Sequence, residues 1–202
     1  MTIHLIRHGQ AITGTDDLDP GLAPIGHDQA RITAAFFDGR PIARLITSPL
    51  RRTRETAGPI AETTGLQPEI RHEVSEVFDP AMPPEERRNM IGPFMASRWS
   101  EQNETLNAWR RRVVDTLHEL ARDSGDIVVV SHYIAIGAAI GEATGDDRVV
   151  PTPIANTSIT TIEADGERLR LVQAASTSHL PPDLITGLGQ AMAGGPPTPD
   201  GQ

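Results

Sequence analysis

The sequence predicts an α/β fold: a three-layer α/β/α sandwich with a mostly parallel central sheet. Short apolar runs rich in β-branched residues alternate along the chain with longer segments of helical periodicity. This alternation is typical of repeated strand–helix units, in which helices cover both faces of a sheet. The run at 127–130 is apolar at every position, as in parallel strands that are buried on both faces.

The predicted elements follow the chain in order. Parallel strands are predicted at residues 2–6, 42–47 and 127–130. Helices are predicted at residues 25–37, 50–64, 83–99, 103–123 and 134–144. Residues 158–162 and 169–172 alternate in polarity around an Asp-Gly turn, which predicts an antiparallel hairpin. Residues 69–78 are compatible with either a strand or an extended loop.

The length of 202 residues fits one domain. We assign the domain to residues 1–191, with a helical insertion at about 82–104 that is expected to influence selectivity. Residues 192–202 are rich in Gly and Pro, which predicts a disordered tail.

Composition and charge exclude several classes of protein. The absence of cysteine excludes a disulfide scaffold, a thiolate metal site and a cysteine nucleophile. The net charge of −9, with two Trp, one Tyr and four Phe, argues against broad nucleic-acid binding. No apolar run reaches the ~18 residues of a membrane span, and the N-terminus lacks the pattern of a signal peptide. We therefore expect a cytoplasmic protein without membrane association.

Polar side chains that suit an anion follow each of the three predicted parallel strands. They are Arg7 and His8 after the first strand, Ser48 and Arg52 after the second, and Ser131 and His132 after the third. The carboxyl ends of parallel strands lie at one edge of a sheet, so we expect these groups to converge there. The chain contains no lysine, so its 18 Lys and Arg residues are all arginines, and a guanidinium binds phosphate in a bidentate manner.

Three of these segments resemble the motifs of a known family. Leu5-Ile6-Arg7-His8-Gly9-Gln10 resembles the signature of the histidine phosphatase superfamily, the phosphoglycerate mutase-like enzymes. Residues 48–57 (SPLRRTRETA) resemble its second motif, and residues 128–132 (VVVSH) resemble the segment that carries its second histidine. Weaker similarities lie at 22–30, 156–158 and 178–180, so the resemblance extends from residue 3 to about 180. It implies the phosphoglycerate mutase-like sandwich.

The resemblance also implies roles for residues at the strand ends. His8 is expected to attack phosphorus as a neutral imidazole and form a phosphohistidine. Arg7, Arg52 and His132 are expected to surround the phosphoryl oxygens, and Gln10 is expected to touch them as well. Because guanidinium groups supply the positive charge, neither a metal nor a cofactor is expected. The remaining histidines are scattered without the spacing of metal ligands.

The proton donor is less well defined by the sequence. The family places an acidic residue shortly after the second motif, and Glu76 in Val74-Ser75-Glu76 fits that place best. We expect Glu76 to act as general acid and then as general base, with Glu73 as the alternative. The region departs from the family pattern, since no glycine follows at the usual place. Ala11 also stands where a hydroxyl residue is common.

The function that the sequence favours is a metal-independent phosphomonoesterase that acts on a small phosphorylated metabolite. One alternative is a phosphoglycerate mutase-type isomerase, but the Glu-Arg-His-Tyr-Gly context of those enzymes is not found here. Further alternatives are a protein phosphohistidine phosphatase and a non-enzymatic binding module on the same fold. The expected partner is the phosphorylated substrate, and the oligomeric state, including a homo-oligomer, stays open.

Overall fold

A six-stranded sheet organises the chain. The computed structural model describes residues 1–14, 17–78, 82, 84–165 and 168–188. The strands are β1 (Thr2–Arg7), β2 (Ile42–Thr47), β3 (Glu69–Ile70), β4 (Asp126–Ser131), β5 (Ile159–Asp165) and β6 (Arg168–Ser176). The helices are α1 (Pro24–Ala35), α2 (Arg51–Thr64), α3 (Pro84–Met95), α4 (Glu104–Leu120) and α5 (Tyr133–Thr144). Short 3-10 turns lie at His72–Val74, Trp99–Glu101 and Pro182–Leu184.

The sheet is mixed but mostly parallel, with strand order β3-β2-β4-β1-β5-β6. Strands β1 to β4 are parallel to one another, whereas β5 pairs antiparallel with both β1 and β6. The predicted α/β fold with a mostly parallel sheet is therefore confirmed. The predicted hairpin is present as β5 and β6, and part of its turn, at residues 166–167, lies outside the described residues.

Helices cover both faces of the sheet. Successive residues of β4 point to opposite faces, so they belong to different cores. Ile127 and Val129 belong to a core that also contains residues of α4 and α5. Val128 and Val130 belong to a second core, which contains residues of α1 and α2. All four side chains are fully buried, as the all-apolar run predicts.

Two segments differ from the sequence-based predictions. Residues 69–78 form neither one strand nor one loop, but the two-residue β3 followed by the first 3-10 turn. The helix predicted at 83–99 ends at Met95. It stops there because residues 97–99 pair with residues 147–149: the Val149 N–H donates to the Ser97 carbonyl, and the Trp99 N–H donates to the Asp147 carbonyl.

The predicted domain limits, the insertion at 82–104 and the cytoplasmic location stay predictions. The predicted disordered tail, 192–202, lies outside the described residues. Within the described ranges, no helix is both long enough and apolar enough to cross a membrane.

Candidate active site

The carboxyl ends of β1, β2 and β4 lie side by side in the sheet. Arg7 at the end of β1 is in register with Ser131 at the end of β4, and Thr47 of β2 is in register with Val130. Helices α2 and α5 begin within a few residues of these strand ends, at Arg51 and Tyr133. The N-termini of both helices therefore face this edge, where the positive end of each helix dipole favours an anion. At α2 the Arg51 N–H donates to the carboxylate of Asp19.

His8 has a single tautomer that satisfies both of its ring nitrogens. Its Nδ1 lies 2.7 Å from the Gly9 carbonyl oxygen, which can only accept, so Nδ1 carries the proton. Its Nε2 lies 3.2 Å from Arg52 Nε, which can only donate, so Nε2 holds a lone pair. Burial and the positive charges of Arg52 and Arg7 hold the pKa of His8 well below its usual value. The ring is therefore a neutral imidazole at physiological pH.

The backbone around His8 is fixed from three sides. The His8 N–H donates to the Ser131 carbonyl, and its own carbonyl accepts from Asn156 Nδ2, both at 3.0 Å. The next N–H, that of Gly9, donates to Thr56 Oγ1. The start of α1 also packs closely, since a Cβ at Gly26 would lie 2.2 Å from the Gln10 carbonyl oxygen. These contacts leave the imidazole little freedom to move.

Arg7 is almost fully buried beside His8. Its Nη1 donates to the carbonyl oxygens of Ile154 at 2.6 Å and Gly187 at 3.2 Å. Its guanidinium carbon lies 4.8 Å from the centre of the Tyr133 ring, which is a cation–π contact. Burial lowers the pKa of Arg7 to about 10, with Glu76 and Tyr133 acting in the opposite direction. Arg7 therefore remains a cation at neutral pH.

His132 contacts Arg52 and is fully buried. Arg52 Nη2 lies 3.3 Å from His132 Nδ1, so that nitrogen accepts. The other nitrogen, Nε2, lies 2.8 Å from Ser48 Oγ and therefore donates to it. Burial, together with the positive charge of Arg52, holds the pKa of His132 well below its usual value. Arg52 thus joins the two histidines, and we call Arg7, His8, Arg52 and His132 the basic cluster.

A buried glutamine links the loop after His8 to the C-terminal segment. Gln29 Oε1 accepts from the Gln10 N–H at 2.8 Å, and Gln29 Nε2 donates to the Leu184 carbonyl and to Thr186 Oγ1, each at 2.8 Å. Thr186 Oγ1 in turn donates to Asn156 Oδ1 at 3.1 Å. Every polar atom of the Gln29 side chain therefore has a partner, and Gln29 is fully buried.

A cavity of about 330 Å³ opens beside the basic cluster. Three members of the cluster line it, namely Arg7, His8 and Arg52, and Glu76 lines it as well. The other described lining residues are Ala11, Thr13, Leu18, Pro20, Phe78, Ile91, Met95, Tyr133 and Ile134. The site thus combines a charged part with a mainly apolar part.

The structure separates the two candidate proton donors. Glu76 lines the cavity, and its Oε1 accepts from the Val77 N–H at 2.9 Å. Glu73 is not among the described lining residues and pairs with Arg71 at 3.3 Å. A hydrogen bond from its own backbone N–H and the Arg71 guanidinium hold the pKa of Glu73 below its usual range. Ser131 Oγ donates to the Val74 carbonyl at 2.7 Å and ties this turn to the end of β4.

Two sequence-predicted residues do not line the cavity, and some lining residues escaped sequence reasoning. Gln10 and His132 are not among the described lining residues, although both contact the surroundings of His8. Tyr133 was missed, despite its place directly after His132. Asp19 was also missed; it is not among the described lining residues, but its carboxylate lies 3.7 Å from Arg52. The apolar residues of the lining come from separate segments, so no local motif could have revealed them.

Within the ranges that the structure describes, no group of three or more His, Asp or Glu side chains could hold a metal ion. The positive charge of the described site comes from arginine.

Comparisons with known proteins identify the family to which the chain belongs. The sequence profile of the histidine phosphatase superfamily (branch 1) matches residues 3–177. "Uncharacterized protein Rv0525" of Mycobacterium tuberculosis is 30% identical over 83% of this chain and 92% of its own length. "Probable phosphoglycerate mutase GpmB" of Yersinia enterocolitica is 28% identical over 72% of this chain and 75% of its own.

Among solved structures, a phosphoserine phosphatase mutant from Entamoeba histolytica in complex with phosphoserine superposes with a TM-score of 0.68. It is 22% identical, and the alignment covers 89% of this chain and 98% of that one, which shows a shared fold. The same Entamoeba enzyme has also been solved with 3-phosphoglyceric acid. Because the family profile spans most of the sequence, this chain belongs to the histidine phosphatase superfamily, branch 1.

Proposed function

We propose that the protein is a phosphomonoesterase that hydrolyses a small phosphorylated metabolite through a phosphohistidine at His8. The observation that carries the proposal is the tautomer of His8. Its proton is held by the Gly9 carbonyl, and its lone pair is on Nε2, beside the guanidinium of Arg52. A neutral, oriented imidazole next to two arginines in a cavity is the arrangement that nucleophilic attack on a phosphoryl group requires.

In the first half-reaction, His8 Nε2 forms a bond to phosphorus while the bond from phosphorus to the ester oxygen breaks. Arg52 now donates to Nε2, so its guanidinium has to turn from His8 to the phosphoryl oxygens before attack. Those oxygens are anionic and are stronger acceptors than an imidazole nitrogen, so the exchange is favourable. Arg7 and Arg52 then stabilise the charge that develops in the transition state.

Glu76 is proposed as the group that moves the protons. Its carboxylic acid gives a proton to the departing ester oxygen, which leaves as an alcohol. In the second half-reaction the Glu76 carboxylate takes a proton from water as the water oxygen attacks phosphorus. The bond to His8 Nε2 breaks, inorganic phosphate leaves, and both residues return to their starting states. The placement of Glu76 in the cavity supports this assignment over Glu73, which pairs with Arg71.

Phosphoglycerate mutase activity is the second candidate, because curated relatives carry that name. A mutase returns the phosphoryl group from the histidine to its bound product, whereas a phosphatase transfers it to water. The two activities share the first half-reaction and differ in what accepts the phosphoryl group. Release of inorganic phosphate therefore distinguishes phosphatase from mutase activity, since a mutase leaves the total amount of organic phosphate unchanged.

The test is a screen of phosphorylated metabolites with a chelator present, followed by quenching in alkaline denaturant and phosphoenzyme analysis. We expect release of inorganic phosphate and a base-stable, acid-labile phosphoenzyme. His8→Ala should abolish both while the protein stays folded, and the exposed His72→Ala should keep both. Turnover by His8→Ala would contradict the nucleophile, and loss of activity on chelation would contradict the metal-independent mechanism. Conversion of 3-phosphoglycerate to its isomer without phosphate release would favour the mutase.

A further inference from the structure

The cavity has more apolar surface than a phosphoryl group can use. Once Arg7, His8 and Arg52 bind the phosphoryl group, what remains is mainly hydrocarbon. We call this remainder the apolar lining: Ala11, Leu18, Pro20, Phe78, Ile91, Met95, Tyr133 and Ile134. Thr13 adds a hydroxyl group. The part of the substrate beyond its phosphate therefore meets mostly carbon atoms.

The apolar lining is built into the protein rather than scattered over its surface. Ile134 on α5 is buried, and Phe78 is buried against Phe94 of α3 with their ring centres 5.3 Å apart. Ile91 and Met95 lie one turn apart on α3, and both pack against the core that contains Ile127 and Val129. Four of these residues thus come from well-packed parts of the fold, and they form a stable surface for a ligand.

Among the described lining residues, no cation is left for a second anionic group once Arg7 and Arg52 bind the phosphoryl group. Among the lining residues that the structure describes, the cations are Arg7 and Arg52, and both serve the phosphoryl group. A carboxylate on the substrate would be desolvated against carbon with no partner cation among the described lining residues, at a high cost in free energy. An ammonium would pair with Glu76 and keep it ionised, which would remove the proton that the leaving oxygen needs.

We propose that the substrate is a phosphomonoester whose organic part is uncharged and mainly apolar, such as a small aryl or alkyl group. This inference rests on the proposed phosphomonoesterase activity. The volume is at the lower end of the ~300–1,000 Å³ that ligand pockets span, so the group is small. The Entamoeba phosphatase, in contrast, has been solved with phosphoserine, which carries a carboxylate and an ammonium.

The experiment compares alkyl esters, because their leaving groups are similar in chemistry and differ mainly in charge. The value of kcat/KM is measured by phosphate release for benzyl phosphate, isobutyl phosphate, phosphoserine and 3-phosphoglycerate, using the full chain. We expect the better neutral ester to exceed both charged esters by at least about tenfold, in line with the discrimination of apolar pockets. A smaller ratio, or a preference for a charged ester, overturns the inference.

A charge placed in the apolar lining sharpens the test. Met95→Arg should raise kcat/KM for 3-phosphoglycerate relative to benzyl phosphate, because it gives the carboxylate a partner. Met90→Arg adds the same charge to an exposed position of the same helix, outside the described lining, and should leave that ratio unchanged. Ile91→Arg serves as a second variant if Met95→Arg does not fold. An equal shift in the ratio for Met90→Arg and the lining variants would contradict the proposal.

The outcomes separate this inference from the proposed function. If no ester releases phosphate and no phosphoenzyme forms, the phosphomonoesterase proposal fails, and the inference fails with it. If phosphate is released through His8 but charged esters are preferred, the phosphomonoesterase proposal stands and the substrate class is wrong.

Discussion

The basic cluster and the apolar lining share one cavity but are held in place in different ways. The cluster lies at the ends of parallel strands and the starts of helices, and hydrogen bonds fix each of its side chains. Much of the apolar lining comes from the loop after His8 and from α3, and neither segment is part of the sheet. Leu18 and Pro20, in the loop after His8, belong to neither described core, so we expect this part of the lining to tolerate changes without disturbing the sheet. From this comparison we expect the proposed chemistry and the proposed selectivity of this site to be separable.

Removal of Arg52 should have the largest effect and should not depend on the substrate. Arg52 joins His8 to His132 and is proposed to bind the phosphoryl group. We expect Arg52→Ala to lower kcat/KM by at least about 10³-fold for benzyl phosphate and phosphoserine alike, since transition-state charge loses a donor. Arg51→Ala, at the exposed neighbouring position, is the control and should change little. A loss confined to one ester would break the separation between chemistry and selectivity.

Replacement of Glu76 should have the next largest effect, and it should depend on the leaving group. We expect Glu76→Gln to lower kcat for alkyl esters by about 10²–10⁴-fold. The loss should be smaller for p-nitrophenyl phosphate, because nitrophenolate leaves without needing a proton. Glu73→Gln is the matched control and should keep most of the activity, since Glu73 pairs with Arg71. The reverse ranking of the two variants would make Glu73 the proton donor.

Sequence reasoning found the strand ends because local patterns define them. An apolar run followed by Arg-His or Ser-His marks both a buried strand and the residues at its end, so Arg7, His8 and His132 could be located. The paired positions of Arg7 and Ser131 follow from the geometry of parallel strands. Helix ends that depend on distant contacts could not be found. The end of α3 is one of these, because residues 97–99 pair with a segment some fifty residues further along the chain.

The apolar lining could not be derived from the sequence for a similar reason. Leu18, Phe78 and Met95 are far apart in the chain, and each would be an ordinary apolar residue in any fold. Only their approach in three dimensions gives them a common surface. The neutral state of His8 was expected from the chemistry of the attack. The partners that fix its tautomer, Gly9 and Arg52, could not be named, since they depend on positions around one ring in three dimensions.

Loss of the Gln29 side chain should reduce stability and should affect all substrates equally. Gln29→Leu removes three hydrogen bonds and leaves the Gln10 N–H and the Leu184 carbonyl without that partner. We expect the free energy of unfolding to fall by about 2–4 kcal/mol, since each unsatisfied buried group costs ~1–3 kcal/mol. The measurement is urea unfolding, with the exposed Gln67→Leu as control. Unchanged stability would mean that the C-terminal segment is not held through Gln29.

Acid should lower the free energy of unfolding. The effect should come from the histidines of the basic cluster and not from the apolar lining. His8 and His132 stay neutral when folded but take up a proton when unfolded below pH ~6.5. The unfolded state then binds more protons, so the free energy of unfolding falls by up to ~1.4 kcal/mol per pH unit for each histidine. This stabilising contribution is complete above that pH and is lost as the pH falls.

Variants show whether His132 causes part of this pH dependence of the free energy of unfolding. We expect His132→Asn to give a shallower slope than the wild type between pH 7.5 and 5. Met95→Leu and the exposed His72→Gln should keep the slope of the wild type. Urea unfolding at several pH values provides the measurement. An unchanged slope for His132→Asn would show that His132 is protonated in the folded state.

The smallest effect is expected at the exposed part of the apolar lining. Leu18 and Ile12 are both apolar and about half exposed, at 49% and 45%, but only Leu18 is among the described lining residues. Leu18→Ala should raise KM for benzyl phosphate by about two- to fivefold, because it removes part of the apolar contact area. Its kcat should stay the same, since the basic cluster is untouched, and Ile12→Ala should change neither constant. A fall in kcat for Leu18→Ala would show that the apolar lining also positions the reacting atoms, and selectivity and chemistry would then be coupled.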